Sequence, residues 1–338
     1  MTDRPRISES PEDFVVEELP LYPCSGEGEH TFLWVEKRQR TTEEIARALA
    51  REAEVRPRDV GYAGRKDRNA VTRQWFSVPG LDPAEALMLD RPGFRVLDAT
   101  RHRNKLRTGH LAGNRFVLRV RGVPGALAAR AEARAAGLST EGMPNRFGDQ
   151  RFGRDGGNLE LARAILRGEP ARKAGDRRGQ RFMLSALQSA VFNDVLASRP
   201  TPLSVLEVGD VACLHESGGM FLVEDCAVEA PRAEIFEISP TGPLFGTHLL
   251  SAEGEPGARE RAVLERWELG EGRFQLPRGI RLRGGRRPLR VRPVGLHVSG
   301  EADEVVRVEV TLPPGSYVTV LVEEMFGACD RGRPAAVS

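Results

Sequence analysis

The stretch Gly61-Tyr62-Ala63-Gly64-Arg65-Lys66-Asp67-Arg68-Asn69-Ala70-Val71-Thr72-Arg73-Gln74-Trp75 is the densest unusual segment of the chain. Two glycines and an alanine lead into a lone carboxylate, Asp67, flanked by Arg65, Lys66 and Arg68, and a strand-like run follows. Neighbouring cations favour the ionised form of a carboxylate, so Asp67 is expected as an anion at neutral pH. Such a group can be a nucleophile or a general base, or an ion-pair partner on a turn. Lys66 is unusual too, because only Lys37, Lys66, Lys105 and Lys173 are lysines and the other 46 of the 50 basic residues are arginines.

Those 50 bases face 48 acids over 338 residues, a formal net charge of only +2. Genome base composition can enrich arginine throughout a proteome, so position carries more information than number. Ala99 to Ala131 holds eight bases (Arg101, Arg103, Lys105, Arg107, Arg115, Arg119, Arg121, Arg130) and no acid, and Gly272 to Gly300 holds another eight and no acid. A third basic run spans Arg163 to Arg181, while acids gather between Glu207 and Glu237 and near Glu323. One such run is as readily a solvated face as a polyanion site; three in one chain favour RNA or DNA as partner.

Several chemistries lack their residues. There is no Gly-Lys dipeptide for a Walker-type loop, no GxGxxG after a strand and no GxSxG elbow. Cys24, Cys213, Cys226 and Cys329 are scattered without a CxxC, and the six histidines form no HExxH, so neither a zinc site nor a disulfide framework is expected. No cofactor and no metal ion are anticipated. The apolar runs, such as Val318 to Val322, fall far short of the ~18–20 residues of a membrane span. Met1 to Phe14 does not read as a signal peptide. A cytoplasmic protein without membrane partner is expected, with a monomer favoured.

The elements that must position Asp67 are readable in outline. Phe14 to Leu19 and His30 to Lys37 read as strands separated by the turn-rich Pro23 to Glu29. Thr41 and Glu44 make a capping box ahead of Ile45, Ala48 and Leu49, predicting a helix to about Ala53. Strands follow at Val71 to Val78 and at Arg115 to Arg121, where Phe116, Leu118 and Val120 alternate with a mostly arginine face. Helices are expected at Gly125 to Ala136, Asn158 to Arg167, Phe182 to Ser198 and Glu255 to Leu269, with short strands and loops over Leu203 to Leu250 and an irregular connector over Leu276 to Pro293. Val306 to Leu312 alternates as a strand, and Ser316 is a candidate cap for a last helix with Val318, Leu321, Val322 and Met325 on one face. Strands at both ends predict an α+β fold with a sheet assembled from both termini, built on two domains or on one with a large insertion.

The central stretch resembles the GxAGxKDxxAvTxQ motif of the TruD family, the tRNA pseudouridine(13) synthases. The likeness extends along nearly the whole chain. Pro11 to Glu17 is similar to PEDFxVxE, Gly26 to His30 to GEGEH, and Gly113-Asn114-Arg115-Phe116, preceded by the basic Arg101 to Gly109, to GNxF. Gly142 to Gly153 resembles GxPNYFGxQRFG with Arg146 in place of Tyr, and Leu184-Ser185-Ala186 and Leu312 to Tyr317 complete the order.

The resemblance implies a pseudouridine-synthase fold, with a mixed, largely antiparallel sheet in a discontinuous catalytic domain (1–141 and 291–338) and an inserted α/β domain (142–290). It implies that Asp67 is the catalytic nucleophile, that Phe14, Asn114 and Tyr317 contact the target nucleoside, Tyr317 standing where many relatives carry Phe, and that Lys66 beside them belongs to the substrate site. The reaction it implies is conversion of uridine to pseudouridine in tRNA, at uridine-13. That isomerisation breaks the C1′–N1 bond and rejoins the base through C5, oxidising nothing, in keeping with the missing cofactor motifs. Asp67 can attack sugar or base, or remove a proton beside the anomeric carbon, and the sequence leaves the three open. The arginines of Arg101 to Arg107, Arg115 to Arg121 and Arg278 to Arg292 are the expected phosphate grips. A non-catalytic RNA-binding module is the alternative; a glycoside hydrolase would want a carboxylate partner for Asp67, and the sequence shows none.

Overall fold

Alternating apolar residues and one capped helix set the local structure, which the computed structural model describes for residues 4–7, 9–169, 174–270, 276 and 279–331. In chain order the first elements are β1 (Arg6–Ile7), β2 (Phe14–Pro20), β3 (His30–Arg38), α1 (Thr42–Glu52), β4 (Gly61–Tyr62) and β5 (Val71–Pro79). They are followed by α2 (Pro83–Leu87), β6 (Asp90–Arg91), β7 (Phe94–His102), β8 (Leu111–Arg121) and α3 (Gly125–Glu141). The middle of the chain holds β9 (Met143–Pro144), α4 (Gly157–Leu166), α5 (Arg177–Ala197), β10 (Val211–Leu214), β11 (Met220–Leu222) and α6 (Cys226–Glu234). Next come β12 (Ile238–Leu244), α7 (Gly254–Arg266), β13 (Gly285–Pro288) and β14 (Arg290–Val291). The chain closes with β15 (Val294–Ala302), β16 (Val305–Leu312), α8 (Val318–Phe326) and β17 (Asp330–Arg331).

By contacts the chain divides into two units, residues 1–139, 293–318 and 322–338, and residues 140–292 and 319–321. The first unit carries an 11-stranded sheet whose main path runs β15-β16-β8-β2-β5-β3-β7-β6. β2 and β5 pair in parallel, as do β1 and β17 from the two chain ends, and the other pairs are antiparallel. The expected α+β fold, with a mixed sheet drawn from both termini, is therefore present.

The predicted start of α1 is also present. Thr41 Oγ1 accepts from the Glu44 amide (3.2 Å), and the Glu44 carboxylate accepts from the Thr41 amide (2.6 Å). Two orphan amides of the first turn are satisfied this way. The helix then buries Ile45, Ala46, Leu49 and Ala50 with Leu33, Val35, Phe76 and Val78 of β3 and β5 in one core. Burying a side chain as large as Ile45 or Leu49 contributes roughly 1.5–3 kcal/mol.

The second unit has its own core, in which α4, α5 and α7 bury Ile165, Leu187, Val191 and Val263. A four-stranded sheet of order β11-β10-β12-β13 and the β9/β14 pair complete it. Among the described residues no helix is long and apolar enough to cross a membrane.

Three expectations differ from what is observed. The stretch read as an irregular connector contains β13 and β14, made by pairing with β12 and β9, a signal that composition does not carry. Ser316 does not cap α8. Its amide closes a turn onto Pro313 O (3.3 Å), and the helix starts one residue later, with Tyr317 as an N-cap that has no side-chain cap bond. β8 begins at Leu111, four residues before the predicted start at Arg115, so Asn114 lies within that strand. Gly113 is required there, because a Cβ would stand 2.7 Å from Leu312 O of the neighbouring strand. Arg172, Lys173, Arg273 and Arg278 of the basic runs lie outside the described residues.

Candidate active site

The segment between β4 and β5 is held by its main chain. Gly64 O accepts from Gln74 Nε2 (3.1 Å), and the Lys66 amide donates to Thr42 Oγ1 (3.0 Å), which in turn donates to Gln74 Oε1 (2.9 Å). Ala63 O accepts from the Gly109 amide (2.8 Å), and Asp67 O accepts from Lys37 Nζ (2.8 Å). With its backbone pinned on both sides, Asp67 is exposed, and among the described residues no hydrogen bond or ion pair engages its carboxylate.

The three cations adjacent in sequence do not attend that carboxylate. Arg65 pairs with Glu43, Lys66 with Glu18 (2.6 Å), and Arg68 Nε donates to Gln39 O (3.3 Å). Instead Lys37, fully buried on β3, is the ammonium whose charge interacts with Asp67. Burial pulls Lys37 down to about 8, with Asp67 opposing that fall and Lys66 adding to it. An ion that has lost its water is easier to neutralise unless an opposite charge replaces the lost solvation.

Lys66 and Glu18 form a buried pair, their side chains 5% and 1% exposed. The other oxygen of Glu18 accepts from the Trp75 amide (3.3 Å). Burial raises the Glu18 carboxyl and Lys66 opposes the rise. Lys66 is thus committed to holding the loop onto β2, and its ammonium is not left free.

Sheet register puts Phe14 and Asn114 on one face of the sheet with Glu18. Glu18 of β2 is opposite Asn114 of β8, which is opposite Leu312 of β16. Side chains two apart on a strand share a face, so Phe14, Val16 and Glu18 line up with Leu118, Phe116 and Asn114. The Phe14 ring stands edge-on to Phe116 at 6.3 Å and 84°, and Phe14 is only 5% exposed. It is part of the packed core between β2 and β8. Tyr317 is half-buried and follows Leu312 by five residues. Two polar atoms, Asn114 Oδ1 on β8 and Thr72 Oγ1 on β5, are buried without a hydrogen-bond partner among the described residues. A lone buried acceptor costs about 1–3 kcal/mol, a cost that a ligand able to donate to it removes.

Sequence reasoning singled out Asp67, Lys66, Asn114, Phe14 and Tyr317 but missed Glu18 and Lys37. A signal was available for both. Glu18 occupies the third inward position of an alternating strand after Phe14 and Val16, and Lys37 is a rare lysine ending an apolar one.

The arginines of β8, and Arg286 and Arg290 of the Arg278 to Arg292 run, are engaged within the protein and are not free phosphate grips. Arg115 is ion-paired with Glu17 (2.8 Å) and Glu309 (2.5 Å), Arg119 with Glu301 (2.6 Å) and Arg121 with Asp13 (2.7 Å). In the second unit Arg286 is buried on Glu260 (2.6 Å), and Arg290 is 1% exposed, its guanidinium donating to Ser239 Oγ and to the main-chain oxygens of Glu141 and Ala233. Local sequence showed acid-free runs because the partners, carboxylates for most of these arginines, come from segments distant in the chain.

Comparison with known proteins identifies the family. The family profile for tRNA pseudouridine synthase D (TruD) matches residues 4–176 and 171–325. The tRNA pseudouridine synthase D of Geobacter metallireducens is 43% identical over 390 residues, covering 97% of this chain and 95% of that protein. That of Anaeromyxobacter dehalogenans strain 2CP-C is 45% identical over 329 residues, covering 95% and 93%. A crystal structure named for tRNA pseudouridine synthase D of Methanosarcina mazei is similar at a TM-score of 0.76 and 22% identity, covering 97% of this chain and 95% of that one, a likeness of fold. Matched by the family profile over most of its length and by these relatives end to end, the chain belongs to the TruD family of tRNA pseudouridine synthases.

Proposed function

We propose that the protein isomerises uridine to pseudouridine in tRNA, at position 13, with Asp67 as the catalytic group. The observation that carries this reading is the state of Asp67, whose main chain is anchored by Lys37 while its carboxylate is exposed and unengaged among the described residues. A carboxylate that is already positioned, with no internal partner to break from, can be delivered to a substrate at little reorganisation cost.

The uracil N1–C1′ bond breaks and the C5–C1′ bond forms, while the proton on C5 is lost and one is gained at N1. Atoms and electrons balance without an external oxidant or donor, so the reaction needs no cofactor. Asp67 can serve by attack on C1′, by attack on the base, or by removing a proton beside C1′. In this reading Asn114 Oδ1 accepts an N–H of the uracil edge while the detached base turns; that Oδ1 is buried without an internal partner supports the role. Phe14, edge-on to Phe116, backs the base in the same reading, and Tyr317 meets it from the N-cap position of α8, beyond the end of β16. Lys66, held by Glu18, acts by fixing the loop. Extruding the target base costs a few kcal/mol, offset by contacts to the flanking RNA.

In this reading the catalytic domain is residues 1–141 and 291–338, with 142–290 as an inserted domain, and the enzyme meets its tRNA in the cytoplasm. Tritium release from tRNA transcript labelled at uracil C5 tests the reading. Wild type should release tritium and Asp67→Asn should not. Equal release from both would remove Asp67 from the chemistry, and RNA binding without release by wild type would leave an RNA-binding module.

A further inference from the structure

A second concave surface lies in the same unit, a cleft of about 580 Å³ bounded by Tyr22, His102, Arg103, Lys105, Arg107 and His110 among others, with no carboxylate in its lining. Its volume falls within the ~300–1,000 Å³ typical of small-ligand sites. The aromatic floor is fixed. Tyr22 stacks on His102 at 5.4 Å and 14°, its hydroxyl meets His110 Nδ1 at 2.8 Å, and His102 Nδ1 accepts from the Ser25 amide (3.1 Å).

The cations around it are not equivalent. Arg103 pairs with Glu27, its Nε 3.0 Å from the carboxylate, and Lys105 donates to Arg58 O (2.5 Å). Arg107 is exposed, and among the described residues its guanidinium has no hydrogen bond or ion pair. A fixed aromatic stack beside an unpaired guanidinium suits one nucleotide of a single strand, with the base on the rings and the phosphate on the arginine.

The cleft is also joined to the candidate active site. A smaller cavity of about 100 Å³ shares Tyr22, Pro23 and His110 with it and is lined further by Glu18 and Trp75. Glu18 is the partner of Lys66, next to Asp67. The loop carrying the basic residues is bonded to the Asp67 loop through the Gly109 amide and Ala63 O (2.8 Å).

We propose that this cleft binds a nucleotide flanking the target uridine, with Arg107 on its phosphate and the Tyr22–His102 stack under its base. The proposal rests on the reading that the substrate is RNA. It assigns recognition of the neighbouring strand to residues other than the ion-paired arginines of β8.

Fluorescence anisotropy of a labelled single-stranded RNA pentanucleotide with a central uridine tests it, alongside steady-state kinetics on tRNA transcript. Arg107→Glu should weaken binding about tenfold and lower the magnitude of the log–log salt slope by about one. Tyr22→Ala should weaken binding about tenfold with the slope unchanged, and Tyr22→Phe should restore it. In kinetics both losses should fall on KM, with kcat held within about twofold. Arg51→Glu, on the exposed side of α1, controls for net charge. Equal losses from Arg51→Glu and Arg107→Glu would overturn the proposal by showing bulk electrostatics, and wild-type binding by Arg107→Glu would overturn it outright. The Arg107 guanidinium is exposed and without a partner among the described residues, so its variant should keep the wild-type melting temperature and remain informative if Tyr22→Ala does not fold. Tritium release by Asp67→Asn separates the two readings: activity there sinks the catalytic assignment, while the anisotropy result stands on its own.

Discussion

Lys37 Nζ lies 2.8 Å from the main-chain oxygen of Asp67, on a side chain with no exposure to solvent. The contact ties the candidate catalytic loop to β3, thirty residues earlier, and puts a buried positive charge beside an exposed negative one. Glu43, Glu44 and Lys66 are the other charges acting on this ammonium.

A pH dependence follows from that burial. Lys37 is lowered from 10.5 to about 8, so its ammonium is present below about 8 and fades above it. The rate of pseudouridine formation should fall above about pH 8, and Lys37→Arg, whose guanidinium stays charged, should extend the plateau. An unchanged alkaline limb in Lys37→Arg would show that another group sets it.

The same shift bears on stability with a definite sign. The folded state binds the Lys37 proton more weakly than the unfolded one, so the burial cost is fully present below about 8 and is relieved as pH rises towards 10.5. Compared with Lys37→Met, wild type should gain relative stability between pH 7.5 and 9.5 in urea unfolding.

Glu18→Gln should strand the Lys66 ammonium on a side chain only 5% exposed. Breaking a buried pair from one side costs about 3–5 kcal/mol. Denaturant titration should show that loss, and adding Lys66→Met should recover part of it. Additive losses in the double variant would contradict a buried pair.

Asn114→Leu tests the unpartnered acceptor. Because Oδ1 makes no internal bond, its removal should leave the melting temperature unchanged or raised. Loss of the substrate contact should lower kcat/KM by about tenfold or more, corresponding to about 1–3 kcal/mol. A drop in stability matching the drop in activity would mark Asn114 as structural.

On the opposite face of the sheet an ion-pair chain crosses six strands, from Arg95 through Glu36, Arg73, Glu17, Arg115 and Glu309 to Arg307. Burial pushes Glu17 up, but bonds from Arg115 and Arg73 outweigh it and hold the carboxyl below its ordinary 4.5. Its stabilisation is present above about 4.5 and lost as pH falls further. Arg115→Gln should flatten the acid side of the Tm–pH curve, and an unaltered acid side would show that the chain of pairs contributes nothing.

Where side chains speak only to their own element, the one-dimensional reading and the structure agree. The Thr41/Glu44 capping box, the alternation of β2, β8 and β16 and the apolar face of α8 all depend on residues within a turn or two of each other. β7 and β15 were missed because their exposed positions break the alternation, and they exist as strands through pairing with β3 and β16.

The amino-acid order alone singled out Asp67 as a candidate for chemistry, since with its glycines and lysine it is a local motif, and it carried the α+β class through periodicity. Only the folded chain decided which charges meet. It gave Lys66 to Glu18, placed Lys37 under Asp67, left Asn114 Oδ1 without a partner and neutralised the arginines of β8 with carboxylates from β2, β16 and the segments around them. Electrostatic partnership depends on distance in space and on burial, and strand order brings together residues as far apart in sequence as Arg115 and Glu309.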